Sequence, residues 1–557
     1  MTEYVCKYAP VEILAGFKEE SALCNLSAAG LDRADRVMHR NLCSFARALI
    51  EHRLDEGEGV CPLVLTNCCD SLRRTRDMLF LQGQKVFLLD LPHRDGPCAR
   101  ELYQKELIRF IEEFSAYSGK EFDCGKFRAA CGTRPEKADG PYVALMGARM
   151  SDELLEYVRA NAALPVVNEM CTGNRRIGAA PSAGDTKELM KWYAGELLSQ
   201  PPCMRMTDIA ARRELVSDPN ICGIIYNTVS FCDYYSFEYA GIAKELSVPI
   251  LKIETDFTVQ SAAQLKNRLD AFFETLPLPG PNPGPPPVRG RETDARRYFA
   301  GLDSGSTSTN AVILDGERNI VSFAVVPTGV SVDGSAKSAF EEALENAGIL
   351  ETQIERTVST GYGRAGIRFR SRDITEITCH AKGAYFLNPR VRTVIDIGGQ
   401  DSKVIRLDEN GSVKDFAMND KCAAGTGRFL EMMAQSLGVT LEVMSVCGLG
   451  WDEEIVISSM CSVFAQSEVV SLIASGKKLP DIVHGLNASV ASKVIALGGR
   501  TGMEGAYMMT GGVANNTGVV RAVEEKLGVP VLRPEEPEIC GALGAALVAW
   551  EDGVGGK

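Results

Sequence analysis

Between residues 277 and 287 the chain reads PLPGPNPGPPP, seven prolines in eleven positions. Proline lacks a backbone N–H and has a fixed φ, so this stretch joins neither helix nor sheet. In polyproline II geometry it spans roughly 34 Å at about 3.1 Å per residue and acts as a semi-rigid spacer. The segments on its two sides must therefore fold separately. The 557 residues suffice for roughly three or four domains, each with its own core. The expected division is an α/β lobe over 1–138, a second over 139–276, the linker over 277–297 and a further domain over 298–557.

Before the linker, apolar runs at 62–67, 85–92, 142–147, 164–169, 221–227 and 248–254 alternate with helical patterns. That alternation predicts doubly wound α/β structure with parallel sheets. The runs fall into two groups about residue 140, hence two lobes with a cleft between them. Sites in open α/β sheets are built at the carboxyl ends of strands, and the loops after these runs carry Cys69, Cys171 and Cys232. After the linker, YFAGLDSGSTSTNAVIL (298–314) and RTVIDIGGQDSKVIRLD (392–408) repeat one pattern. Each is a strand, an acidic residue, a glycine turn with small polar residues and a second strand.

A net charge of −13 without a Lys/Arg stripe argues against nucleic-acid binding. No apolar run is long enough to span a bilayer, and the N-terminus MTEYVCKYAP lacks the pattern of a secretory signal. A cytoplasmic protein is expected, in which disulfides are disfavoured. Eighteen cysteines against five histidines then favour thiolate-ligated metal. Zinc knuckles would show paired C-x₂₋₄-C spacing, which is absent, whereas scattered single cysteines fit an iron–sulfur cluster assembled by tertiary structure. Two of them, Cys422 in NDKCAAGTGRFLE and Cys461 in SSMCSVFAQSEV, each precede an amphipathic stretch. They are expected at helix N-termini, where partial positive charge and free N–H groups favour thiolates. Two thiolates make half the ligand set of a [4Fe–4S] cube, so a symmetric homodimer with a bridging cluster is expected.

A glycine turn beside an aspartate cradles phosphate with backbone N–H groups while the carboxylate holds Mg²⁺. Asp303, Asp396 and a third glycine segment, MMTGGVANN (508–516), come in the order that resembles the actin, Hsp70 and sugar-kinase superfamily. Within it, DIGGQDSK, NDKCAAGTGRFLE, CSVFAQSEV and TGGVANN resemble the activase (archerase) family of 2-hydroxyacyl-CoA dehydratases and benzoyl-CoA reductases, over nearly all of 298–550. The resemblance implies an actin/Hsp70-like duplicated ATPase fold binding ATP and Mg²⁺, with Cys422 and Cys461 holding a [4Fe–4S] cluster shared by two subunits. It implies that Asp303 and Asp396 stand beside Mg²⁺ and the attacking water, with Asp396 or Gln400 orienting that water. Gly305, Ser306 and Thr307 would face the phosphates, Gly398, Gly399 and Gln400 would form the second turn, and Gly511, Gly512 and Asn515 would border the adenosine. Cys379, Cys447 and Cys540 read as buried thiols, His380 as locally packed, and Arg428 and Glu431 as solvated.

In the first half, HRNLCSFARA with Cys43, TNCCDSLRR with Cys69 and SFCDYYSFEYA with Cys232 resemble the D-component of the same dehydratases, in which three such cysteines hold a [4Fe–4S] cluster. Cys68 is the alternative to Cys69, although C-D-x-x-R favours the latter. With Cys6 in YVCKYAPVEILAGF, Cys24, and Cys171 in NEMCTGNRR, the pattern looks most like the double-cubane cluster proteins, whose [8Fe–9S] centre takes three cysteines per cubane. Cys61, Cys98, Cys124, Cys131, Cys203 and Cys222 are left as core or unassigned. The implied function is ATP-dependent, low-potential electron transfer from the activase domain, reduced by a ferredoxin or flavodoxin, to an N-terminal iron–sulfur reductase acting on a small molecule. Two other readings stand beside it: a 2-hydroxyacyl-CoA dehydratase component fused to its own activase, with a second dehydratase-like subunit as partner, and a non-catalytic nucleotide-binding sensor. This half is shorter than typical family members, which puts acyl-CoA binding in doubt.

Overall fold

In the computed structural model the chain separates into two units, Met1–Gly280 and Pro281–Lys557. The described residues are 1–555 without 27, 56–59, 133–137, 202, 204, 207–209, 244, 245, 247, 277–296, 421, 458–461 and 500. The proline linker, expected over 277–297, thus falls almost wholly outside them.

The N-terminal unit contains two four-stranded sheets. Strands β1 (Thr2–Tyr4), β2 (Ser21–Leu23), β3 (Leu63–Thr66) and β4 (Val86–Leu89) take the order β2-β1-β3-β4. Strands β5 (Tyr142–Gly147), β6 (Val166–Asn168), β7 (Ile221–Val229) and β8 (Ile250–Thr255) take the order β6-β5-β7-β8. Every pairing is parallel, and β3 and β5 are buried along their whole length, as expected of strands covered on both faces. The six apolar runs each overlap one of β3 to β8. The remaining two strands, three residues each, carry no apolar run. In both sheets the winding direction reverses, between β1 and β3 and between β5 and β7, and a crevice opens beyond the carboxyl ends of the strands at such a switch point. Across the lobes, Arg175 and Tyr193 both donate to the carboxylate of Glu12.

The C-terminal unit builds one topology twice. Strands β9 (Tyr298–Ser304), β10 (Ser308–Asp315), β11 (Ile320–Pro327), β12 (Ile354–Thr360) and β13 (Arg372–Asp373) are ordered β11-β10-β9-β12-β13. Strands β14 (Thr393–Ile397), β15 (Ser402–Leu407), β16 (Val413–Asn419), β17 (Tyr507–Thr510) and β18 (Val531–Leu532) are ordered β16-β15-β14-β17-β18. In each sheet an antiparallel three-strand meander continues into two parallel strands. This is the duplicated actin/Hsp70-like fold that the resemblance implies. Among the described residues no single helix is long and apolar enough to cross a membrane.

The helix Cys540–Gly555 packs so closely on β9 that a Cβ at Gly301 would overlap the Ala542 carbonyl oxygen and the Ala546 nitrogen. Gly301→Val is expected to destabilise the C-terminal unit by about 1–3 kcal/mol through overpacking. Calorimetry would show this as a lower melting transition, and an unchanged melting profile would contradict the packing described.

Candidate functional site

The two sheets of the C-terminal unit border a cavity of about 600 Å³. Asp303, Gly305, Ser306, Thr307, Asp396, Gly398, Gly399, Gly511, Gly512 and Asn515 all line it. Gln400 is exposed in the β14–β15 turn and is not among the lining residues. The β9–β10 and β14–β15 turns approach so closely that a Cβ at Gly399 would overlap the Thr307 hydroxyl, which is why that turn needs glycine.

Register explains the floor of the cavity. Asp303 lies opposite Asn310 on β10 and beside Thr360 on β12. The second copy places Asp396 opposite Lys403 and beside Thr510. Lys403 Nζ is 3.2 Å from Asp396 Oδ2 and 2.6 Å from Asp401 Oδ2, and Thr510 Oγ1 donates to Asp396 Oδ1 at 3.0 Å. His380 reaches both repeats, 3.5 Å from Asp396 and 3.9 Å from Asp303. Burial works to raise Asp396, but His380, Lys403 and the Thr510 hydrogen bond hold it below the usual carboxylate range. Burial wins at Asp303, pushed up to about 6 despite His380 and Lys403. Asp303 therefore gains from a cation. The buried Asn310 Oδ1, on the cavity wall, has no hydrogen-bond partner among the described residues, so the donor set of carboxylates and a neutral oxygen fits a hydrated Mg²⁺.

His380, Asp401, Lys403 and Glu376 escape the motif reading although all four line the cavity. Two signals point to them: Lys403 comes seven residues after Asp396, the same interval that separates Asn310 from Asp303, and Glu376 and His380 share a helix face at i,i+4. A raised carboxylate destabilises the folded state once ionised, so stability falls as pH rises from about 4 through 6. Asp303→Asn is expected to stabilise the ligand-free protein at pH 8 by on the order of 1–3 kcal/mol, seen as a higher melting temperature, and to lose that advantage near pH 4. Equal melting of the two proteins at pH 8 would contradict the burial cost.

Cys422 is exposed in the loop after β16, five residues before the helix Gly427–Leu437. It is not at the helix N-terminus, because the AAGT turn intervenes, with Gly425 at φ +92° and Thr426 as cap. That helix is joined to the β14–β15 turn: the N–H groups of Gly427 and Arg428 donate to the carbonyls of Gly398 and Gly399 at 2.9 and 2.8 Å. Cys461 lies outside the described residues. The helix Ser462–Ala474 begins at the next residue. Arg428 is largely solvated and pairs with Glu431 at 3.1 Å, while Glu431 also lines the cavity. Cys379 and Cys540 are buried and Cys447 partly so.

In the N-terminal unit the strand ends gather thiols. Cys43, Cys69 and Cys232 each immediately precede a helix, Ser44–Asp55, Asp70–Leu81 and Asp233–Ile242. Cys43 is hydrogen-bonded to Cys232 and senses the charge of Cys69. The hydrogen bond from Cys232, with the N–H groups of Ala46 and Phe45, brings Cys43 down to about 7. The hydrogen bond from Cys68, then Arg205 and two helix N–H groups, bring Cys69 down to about 5. In each pair the partner thiol, Cys232 or Cys68, is pushed up, so each pair favours one thiolate held by the other's S–H, at a helix start that also favours it.

A second group lies beside the first. Cys6, Cys68, Cys171 and Cys203 line a small cavity of about 20 Å³ together with Arg205. Arg205 Nη1 is 3.7 Å from Cys203 Sγ, and Tyr235 Oη is 3.1 Å from it. Cys203 has no sequence signal, since only tertiary structure brings it here. Cys24 does not line this cavity and lies instead with Glu3 and His52. No disulfide links the described cysteines. Unpaired thiols around a buried guanidinium, in two neighbouring groups, are the donor chemistry of an iron–sulfur centre.

Comparison with known proteins respects the same division. Residues 300–549 match the BadF/BadG/BcrA/BcrD ATPase family, and residues 6–139 and 132–276 match the D-component of 2-hydroxyglutaryl-CoA dehydratase. The activator of lactoyl-CoA dehydratase from Anaerotignum propionicum is 49% identical over 254 residues, 46% of this chain and 98% of that protein. The (R)-2-hydroxyglutaryl-CoA dehydratase activating ATPase of Acidaminococcus fermentans is 46% identical over 255 residues, 46% of this chain and 97% of that protein. The crystal structure of component A of that Acidaminococcus fermentans dehydratase has 43% identity and a TM-score of 0.45, covering 46% of this chain and 99% of its own.

Proposed function

We propose, for a chain that belongs to the BadF/BadG/BcrA/BcrD ATPase family through residues 300–549 and matches the dehydratase D-component through 6–276, an ATP-dependent electron-transfer function. The C-terminal unit, paired with a second copy through a [4Fe–4S] cluster on Cys422 and Cys461, uses MgATP to drive single electrons from a ferredoxin or flavodoxin onto an iron–sulfur centre of the N-terminal unit. That centre acts on a small molecule. The domain limits proposed are 1–138, 139–276 and 298–557, with 277–297 as tether.

The observation that carries this reading is the backbone link between the nucleotide turn and the Cys422 segment. Two hydrogen bonds tie Gly398 and Gly399 to the first residues of the helix Gly427–Leu437, so a change in the turn is transmitted as a movement of that helix. A nucleotide can shift such an equilibrium only by binding its two states with different affinity. In the cavity, Asp303 and Asp396 hold Mg²⁺, the turns at Gly305–Thr307 and Gly398–Gly399 hold phosphate oxygens, and Asp396 orients the attacking water. Gln400, outside the lining, is the weaker candidate for that last role.

At the N-terminal unit, Cys43, Cys69 and Cys232 form one set of three ligands and Cys6, Cys171 and Cys203 the other, with Cys24 leaving the set. When bound, an iron–sulfur centre there supplies one-electron storage at low potential. The two triplets favour a double-cubane [8Fe–9S] centre over a single [4Fe–4S] cube.

Anaerobically purified protein should contain about ten iron atoms per chain, eight in the N-terminal unit and half of a shared cube, by the stoichiometry of thiolate ligation. Cys422→Ala should lower this to about eight and leave the N-terminal Mössbauer signal. About six atoms in the unaltered chain would mean a single cube, and zinc with little iron would defeat the reading.

A further inference from the structure

Three arginines of the N-terminal unit, Arg53, Arg149 and Arg212, are almost completely removed from water, and two of them have partners. Arg53 binds Glu3 and Gln84 and Arg212 binds Glu238. Arg149 differs. It is 2% exposed, yet Nε, Nη1 and Nη2 all lack a hydrogen-bond partner among the described residues.

Neutralisation cannot relieve this, because guanidinium stays charged in proteins. An uncompensated buried charge costs several kcal/mol, so the site is complete only with an anion. Arg149 comes just after β5, at the switch point of its sheet, where Asn227 Nδ2 fixes its carbonyl at 2.8 Å. The Arg149 backbone N–H donates to Cys171 Sγ at 3.3 Å. The charge of Arg149 is also felt by Cys171, which the iron–sulfur reading makes a thiolate ligand.

We propose that Arg149 is a positioning residue for an iron–sulfur centre held through Cys171, and that its guanidinium compensates the thiolate charge and raises the centre's reduction potential. This rests on the reading of the N-terminal unit as an iron–sulfur domain. A fixed cation beside a cluster favours its more negative, reduced form. Arg205 lies by the same thiols but already contacts Cys203 and the rings of Tyr234 and Tyr235, so the uncompensated charge belongs to Arg149.

The test is an EPR-monitored redox titration with iron analysis of the full-length Cys422→Ala protein, in which only the N-terminal signal remains. Arg149, Arg149→Lys and Arg149→Gln are compared in that background. Arg149→Gln is expected to lower the reduced-to-oxidised ratio at a given potential at least tenfold, about 59 mV for one electron, while Arg149→Lys stays near the parent. Loss of iron from Arg149→Gln but not from Arg149→Lys would likewise support the role of charge. An unchanged midpoint in Arg149→Gln with iron retained would overturn it, as would loss of iron or of folding in both variants, which would mark a packing role. A parent protein without N-terminal iron would instead overturn the reading on which the inference rests.

Discussion

Asp396 and Lys403 face each other across β14 and β15, 3.2 Å apart and out of water, and the cavity floor is arranged around keeping that pair from standing alone. A buried ion pair contributes little unless its remaining polar atoms are satisfied, and breaking one is costly. Asp401, Thr510 and His380 supply those further contacts. The duplicated fold puts neutral Asn310 where the second repeat has Lys403. One aspartate is therefore compensated and the other is not. Asp303, raised to about 6 by burial, is the side of the site that a cation would relieve, and two differences between the repeats make the asymmetry: Lys403 stands where the first repeat has Asn310, and Thr510 donates to Asp396 where Thr360 has no partner among the described residues.

The N-terminal unit poses the same problem with opposite sign. Thiols at helix starts, Cys43 and Cys69, are lowered by hydrogen bonds from neighbouring thiols, while Arg149 and Arg205 lie by Cys171 and Cys203 with no carboxylate partner among the described residues. Parallel sheets explain why these groups meet. All strands in each sheet end on the same side, so residues far apart in sequence, such as Cys6, Cys68 and Arg149, come just after β1, β3 and β5 at switch points.

Much of this was legible from residue patterns because it is local. Runs such as YVALMG are buried on both faces, and the two Asp–Gly hairpins repeat within 17 residues each. What escaped depends on contacts between distant segments or on short elements. The three-residue β1 and β2 carry no apolar run, and because β2 is an edge strand, Cys24 after it lies with Glu3 and His52 rather than with the thiol groups. Cys203 joins those groups only through tertiary structure. Lys403 was legible through hairpin register but hidden among the motif's glycines, and His380 looked like any helical residue packed on a sheet. Cys422 stands five residues ahead of its helix because the intervening glycine adopts a left-handed conformation, which an amphipathic pattern does not reveal.

The proposed ATP gate, for electrons moving from a cluster on Cys422 to the N-terminal thiols, is read most directly from reduction of the N-terminal centre. The full-length protein would be mixed anaerobically with a reduced ferredoxin and freeze-quenched for EPR with MgATP, with MgADP and without nucleotide. A reduced N-terminal signal is predicted with MgATP alone, abolished by Cys422→Ala. Reduction to the same extent without nucleotide, or in the Cys422→Ala protein, would contradict the gate.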